Sequence, residues 1–242
     1  MQNKFPWKTL LWVSVFGVAF AMVETAVVIY LRALYYPEGF AFPLRMISPG
    51  LIGVESAREA ATMLLLLSMA IIAGRKLKAS FAWFIYAFAV WDIFYYIFLW
   101  VFLGWPQSLL TRDILFLIPF TWVGPVIAPV INSLMMIALA MIIIRYGKQL
   151  VMKTRHWIGL ILGALIVIAS YTEDYLQFML QDFKLGELLG GSNTEEVIAA
   201  AGNYVPDQFS WWIFLIGAGI HAVVIAEMWL KSGRKYQHVL NE

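Results

Sequence analysis

Four ionisable side chains stand inside long apolar runs of this chain, where a charge is costly. They are Glu24, Glu59, Asp92 and His221. Ionisable groups within membrane-spanning segments are rare, and they usually face the bundle interior or a water-filled cavity. One imidazole with three carboxylates suits Fe, Mn or Zn, and carboxylates can also hold another cation or share protons. We therefore predict a site at these four residues, and a single metal ion with nitrogen and oxygen ligands would suit it.

Four further residues are expected to support this site: Tyr95, Tyr96, Glu55 and Arg58. The two tyrosines follow Asp92 at i+3 and i+4, which brings a phenol to the same helix face. Glu55 shares a face with Glu59 at i, i+4 spacing, and the arginine between them can neutralise one carboxylate.

Several of these residues also have a structural interpretation, and His221 could be a structural hydrogen-bond partner only. Glu55 would lie at the start of a helix, where the macrodipole favours an acid. Asp92 could lock helices together through a hydrogen bond to a tyrosine, a tryptophan or His221. The aromatic run around Asp92 is typical of packing, and it also suits a flat ligand. The sequence alone leaves these interpretations open.

The elements that position these residues must be membrane helices. Of the 242 residues, 62% are hydrophobic and 13% are charged, whereas soluble domains carry about 25% charged residues. A span needs about 20 mainly apolar residues. Six segments qualify, at about 9–33, 57–74, 80–103, 123–145, 157–176 and 209–230. The predicted fold is an all-α membrane protein, a six-transmembrane-helix bundle in one domain over residues 1–242.

The distribution of basic residues predicts the orientation of this bundle. Twelve of the 17 Lys and Arg residues fall at the termini and in the two short connections on the same side, and five fall on the other side. Short basic loops mark the cytoplasmic side of a membrane. We therefore expect cytoplasmic termini, a bacterial inner-membrane location and a site that opens outward.

The three outer connections, at about 34–56, 104–122 and 177–208, are long enough to form a cap. In the third, Ser192 with Glu195 three residues later, and Gly202 beyond them, predict a short surface helix. The second contains GWPQSLLTRDILFLIPF, which is too short to span, and we interpret it as an interfacial or re-entrant helix. Pro125 and Pro129 are expected to interrupt the fourth span, beside Asn132 and Ser133.

Several cofactors and chemistries are disfavoured. The chain has no cysteine, which excludes cysteine-held iron–sulfur clusters. Only His156, His221 and His238 are present, and they fall at different depths, so a bis-His haem within one chain is disfavoured. No recognised catalytic motif occurs, and nothing indicates nucleic-acid binding.

Part of the chain, from Tyr36 to Met135, resembles a group of uncharacterised bacterial polytopic membrane proteins. The resemblance rests on E-S-A-R-E-A-A-T at 55–62, W-D-I-F-Y-Y at 91–96, G-W-P-x-S-L-L at 104–110 and W-V-G-P-V-x-A-P at 122–129. It covers under half of the chain. No activity, fold or ligand is established for the group, so the resemblance implies none.

Two main classes of function follow from the sequence, beside a third, an intramembrane enzyme, for which no nucleophile constellation is recognisable. The first is a membrane protein whose outward-opening site binds a cation, or passes protons or a small solute. The second is an accessory subunit of a larger electron-transfer or energy-transducing complex, in which the buried acids only fix the packing. The lipid bilayer is the partner common to both, and a homo-oligomer is compatible with either.

Overall fold

The computed structural model describes residues 5–45, 48–190 and 194–241, and within them it contains six long helices that account for the predicted spans. These are α1 (Trp7–Tyr35), α2 (Pro49–Gly74), α3 (Leu77–Leu103), α4 (Ile127–Tyr146), α5 (Thr154–Met179) and α8 (Trp211–Asn241). All six are long and apolar enough to cross a membrane. The prediction of a helical, multi-pass membrane protein is confirmed at this level.

Helix α2 begins earlier than its apolar run suggests. The Ser48 hydroxyl accepts a hydrogen bond from the Leu51 amide, and Pro49 occupies the first helical turn, where its missing N–H costs nothing. The helix therefore starts at Pro49 rather than near residue 57, and Glu55 lies well inside it. The interpretation of Glu55 as a helix-start acid is wrong for this reason.

Helix α3 lies at the centre of one group of helices, packed against α1, α2 and α4, while α5 pairs with α8 and α4 joins the two groups. The turn between α2 and α3 is tight because a Cβ on Gly74 would collide with the backbone of Ser80. Small residues also allow α5 and α8 to approach closely: a Cβ on Gly217 would lie 2.8 Å from the Gly163 carbonyl oxygen. Such small-residue contacts are typical of membrane helices.

The second outer connection forms a β-hairpin, and the prediction of an interfacial or re-entrant helix there is wrong. Strand β1 (Arg112–Phe116) pairs antiparallel with β2 (Trp122–Pro125). A hairpin satisfies the backbone hydrogen bonds of a short apolar segment that is punctuated by proline. Pro125 consequently ends β2, and the fourth span begins at Ile127 instead of near residue 123.

The third outer connection contains two short helices, α6 (Leu185–Gly190) and α7 (Thr194–Ala201). The second confirms the predicted surface helix, with Glu195 in its first turn, while the Ser192 cap lies outside the described residues. Tyr204 follows α7, is 1% exposed and donates a hydrogen bond to Asp174 at the outer end of α5. Burial raises the pKa of this phenol, so it remains a donor. These contacts hold the outer cap against the bundle.

Candidate functional site

A cavity of about 1050 Å³ lies between the helices and beneath the hairpin. Its wall receives residues from α1 to α5, from α8 and from both strands. All eight residues that the sequence singled out line it: Glu24, Glu55, Arg58, Glu59, Asp92, Tyr95, Tyr96 and His221. The structure thus places them around one space, where the charged side chains and the histidine form three separate groups.

The first group is an ion-pair network between α1 and α2. The Arg58 guanidinium donates to Glu24 and, at 2.8 Å, to Glu55, and Thr62 donates to the second oxygen of Glu24 at 3.3 Å. Both glutamates are 8% exposed. One guanidinium between two buried carboxylates leaves an excess negative charge if all three groups are ionised.

Glu59 lies beside this network and fastens the hairpin. Its two carboxylate oxygens lie 3.1 and 2.9 Å from the backbone nitrogen of Leu117, which follows β1. Its side chain also belongs to the cavity wall. Glu59 therefore has a structural partner already, and it adds a further carboxylate to the part of the cavity wall next to the hairpin.

The second group centres on Asp92, near the middle of α3. One oxygen, Oδ2, accepts a hydrogen bond from the Ser133 hydroxyl of α4 at 2.7 Å. The side chain is half-buried on the cavity wall. Within the described part of the chain, no hydrogen bond joins Asp92 to Tyr95, Tyr96 or His221. The hydrogen bond that links its helix to a neighbour is made by Ser133, which the sequence did not identify as its partner.

Aromatic rings form part of the cavity wall. The Phe88 ring stacks on Phe116 of the hairpin at 6.4 Å and an interplanar angle of 15°. The Trp122 ring stacks on Tyr171 at 6.2 Å and 14°, and Phe116 and Trp122 lie 5.3 Å apart. All four rings line the cavity with Asp92. The cavity wall thus contains both the Asp92 carboxylate and these aromatic rings.

The third group is His221 alone. Its Nε2 lies 3.0 Å from the carbonyl oxygen of Leu160 on α5, and the ring packs where Gly163 has no side chain. The histidine therefore joins α8 to α5. Among the described residues, no three His, Asp or Glu side chains are grouped closely enough to hold a metal ion, and the predicted four-residue metal centre has no support in this arrangement.

An ion pair that the sequence did not predict lies at the hairpin end of the cavity. Arg32 of α1 contacts Asp113 of β1 at 3.2 Å, and its guanidinium carbon lies 3.8 Å from the Trp105 ring centre and 4.6 Å from that of Phe40. Both charged residues are buried. An arginine within the apolar run of α1 was the signal for this pair, but its partner on a hairpin could not be inferred from a predicted helix.

The Asp113 carboxyl lies outside the membrane-spanning segments. Burial raises its pKa to about 6, although Arg32, the Ile114 amide and the Tyr96 hydroxyl each favour the ionised form. The Arg32–Asp113 pair is therefore fully charged only above this pH.

No known protein family, curated protein or solved structure matches the chain.

Proposed function

We propose that this is a multi-pass membrane protein that binds a hydrophobic organic cation in the central cavity, with Asp92 as its counter-ion. The observation that carries the proposal is the position of Asp92: it is a half-buried carboxylate on the wall of a cavity of about 1050 Å³ that aromatic rings also line. Charged side chains at this depth are expensive, and they are typical of ligand counter-ions.

The charge of the cavity wall supports a cationic ligand. Five carboxylates line it (Glu24, Glu55, Glu59, Asp92 and Asp113), whereas the guanidiniums are three, Arg32, Arg45 and Arg58. Among the described residues Asp92 forms no ion pair with these arginines, and its hydrogen-bond partner is the neutral Ser133. In a surrounding of low dielectric, an uncompensated carboxylate attracts a positive charge strongly.

The aromatic wall favours an organic cation over a bare metal ion. A metal ion would need several oxygen or nitrogen ligands, and the described residues offer no such group. An organic cation is bound instead by one carboxylate and by ring faces, each ring contributing about 0.5–2 kcal/mol. Phe88, Phe116, Trp122 and Tyr171 supply those faces.

The orientation predicted from Lys and Arg places the hairpin, the Arg58 network and the outer cap on the periplasmic side. In this arrangement the carboxylates of the network lie between Asp92 and the periplasm. They would attract a cation toward the cavity, and the ligand would enter from outside. Protons would compete with the ligand for Asp92, which links binding to pH.

Binding of tetraphenylphosphonium to the purified protein in lipid nanodiscs tests the proposal. Isothermal titration calorimetry should show saturable binding to the wild type and binding weakened about 30-fold or more in Asp92→Asn, because a buried charge pair contributes roughly 2 kcal/mol or more. Asp182→Asn, which removes an exposed acid of the third outer connection, is the matched control and should bind like the wild type.

An uncharged probe of similar shape, triphenylphosphine oxide, separates charge from hydrophobic partition. Its binding should be weak and equal in the wild type and in Asp92→Asn. Equal tetraphenylphosphonium affinity in the wild type and Asp92→Asn would refute the role of Asp92 as counter-ion.

A further inference from the structure

A second, smaller pocket lies at the opposite end of the bundle from the hairpin. It has a volume of about 310 Å³ and lies between the end of α4 and the last turns of α8. Its wall consists of Arg145, Tyr146, Trp229, Leu230, Gly233, Arg234, Tyr236 and Gln237. Two guanidiniums and no acid are among these residues, so the pocket is electropositive.

The residues from α8 share one helix face. Leu230, Gly233, Arg234 and Gln237 follow one another at spacings of three, one and three residues, which aligns them along the helix. Gly233 matters because a Cβ there would lie 3.2 Å from the Tyr146 hydroxyl. The glycine thus lets Tyr146 approach α8 and present its hydroxyl beside the basic groups.

Both arginines line this pocket, and Arg145 is held there by an aromatic ring. The Arg145 guanidinium carbon lies 5.2 Å from the centre of the Tyr236 ring, and that ring packs edge-on against Tyr146 at 5.9 Å. Both arginines are exposed. A planar guanidinium presents paired N–H donors that match the oxygens of a phosphate group.

The exposed apolar residues of the pocket favour a lipid headgroup over a free phosphate as the ligand. Trp229 and Leu230 are 57% and 52% exposed, and they lie about one helical turn before Arg234, on the side of the apolar part of α8. Tryptophan and tyrosine at this level are typical of the membrane interface. A ligand here meets basic groups at one end and an apolar surface at the other.

We propose that this pocket binds the phosphodiester headgroup of an anionic lipid, with the acyl chains lying along Trp229 and Leu230. Basic pockets between helices on the cytoplasmic side are suited to such headgroups, and the orientation predicted from Lys and Arg puts this end there. The site is independent of the central cavity and of Asp92.

Native mass spectrometry of the purified full-length protein tests this site with dioleoylphosphatidylglycerol. The wild type should retain this lipid, and an Arg145→Gln/Arg234→Gln variant should bind it about 30-fold more weakly, since each basic residue near the surface contributes roughly 1 kcal/mol. The matched control is Arg75→Gln/Lys78→Gln, which removes two exposed basic residues near the α2–α3 turn, outside the pocket.

Two comparison ligands distinguish the chemistry. Dioleoylphosphatidylcholine, which has the phosphate but no net charge, should bind weakly, and glycerol 3-phosphate should bind weakly because it lacks acyl chains. Equal retention of the two lipids, equal retention in the arginine variant, or equally tight binding of glycerol 3-phosphate would each overturn the proposal. As a second readout, phosphatidylglycerol should raise the unfolding temperature of the wild type and not that of the arginine variant.

Discussion

The carboxylate of Glu59 on α2 accepts the backbone N–H of Leu117 with both oxygens, at 3.1 and 2.9 Å. This contact spans two elements that are 58 residues apart in the chain, and Glu59 is only 8% exposed. Glu59 therefore fastens the hairpin that covers the cavity to α2, while the Arg32–Asp113 pair fastens it to α1. The aromatic residues Phe116 and Trp122 of the cavity wall are positioned through it.

Removal of this acceptor should destabilise the protein. Glu59→Leu leaves the Leu117 N–H without its partner, which costs about 1–3 kcal/mol for a buried donor. Glu59→Gln keeps a carbonyl acceptor and should lose less. The thermal unfolding temperature in detergent measures both, with exposed Glu38→Gln as the control. A Glu59→Leu protein as stable as the wild type would contradict this role.

The Arg32–Asp113 pair should tolerate substitution poorly. Arg32→Gln leaves Asp113 as a buried carboxylate without its cation, and breaking a buried ion pair on one side costs about 3 kcal/mol or more. Arg32→Lys keeps the charge but loses the planar contact with Trp105 and Phe40, so its loss should be intermediate. Chemical or thermal unfolding in detergent should show that the wild type is most stable, Arg32→Lys less stable and Arg32→Gln least stable. A reversed order of the two variants would exclude this explanation.

Asp113 should give folding stability a specific dependence on pH. Its pKa is raised from 3.8 to about 6 by burial, so the folded protein holds this proton more tightly than the unfolded chain does. The resulting stability is fully present below pH 3.8 and is lost as the pH rises through about 6. Asp113→Asn has no such titration and serves as the reference.

The measurement is the difference in unfolding temperature between the wild type and Asp113→Asn at several pH values. As the pH rises from about 4 to 6, the unfolding temperature of the wild type should fall relative to that of Asp113→Asn. Above about pH 7 the difference should stay constant. The Arg32 charge does not change over this range, because arginine stays protonated. A difference that is constant from pH 4 to 7 would contradict the raised pKa.

The spans could be predicted from the sequence because hydropathy over about 20 residues is a strong signal. The hairpin could not, because a short apolar run such as Ile114–Leu117 is compatible with either a strand or a helix. Its assignment depends on the partner strand Trp122–Pro125, with which it exchanges backbone hydrogen bonds. The start of α2 was misplaced for a different reason, since its capped first turn carries little hydropathy signal.

The candidate residues could be chosen from their predicted depth in the membrane. Most of their hydrogen-bond partners could not be predicted from the sequence. Arg58 and Glu55 pair at i, i+3 within one helix, which the spacing indicates. The bond between Ser133 and Asp92 joins residues 41 positions apart and depends on how α3 and α4 are rotated. The contact between His221 and the Leu160 carbonyl also depends on helix packing, because the imidazole occupies the space on α5 where Gly163 has no side chain.

That space is the basis of a further prediction, at Gly163 of α5. A Cβ there would lie 2.5 Å from Nε2 of His221 and 3.1 Å from the Gly217 carbonyl oxygen. Gly163→Ala should therefore separate α5 from α8 and cost about 1–3 kcal/mol through overpacking. Gly219→Ala, on α8 with no atom within 4 Å of its added Cβ, should be neutral or stabilising, because alanine favours helix by up to about 1 kcal/mol. The unfolding temperatures of the two variants in the same detergent test this prediction. If both alanine substitutions have the same effect, the close approach at Gly163 does not limit how α5 and α8 pack.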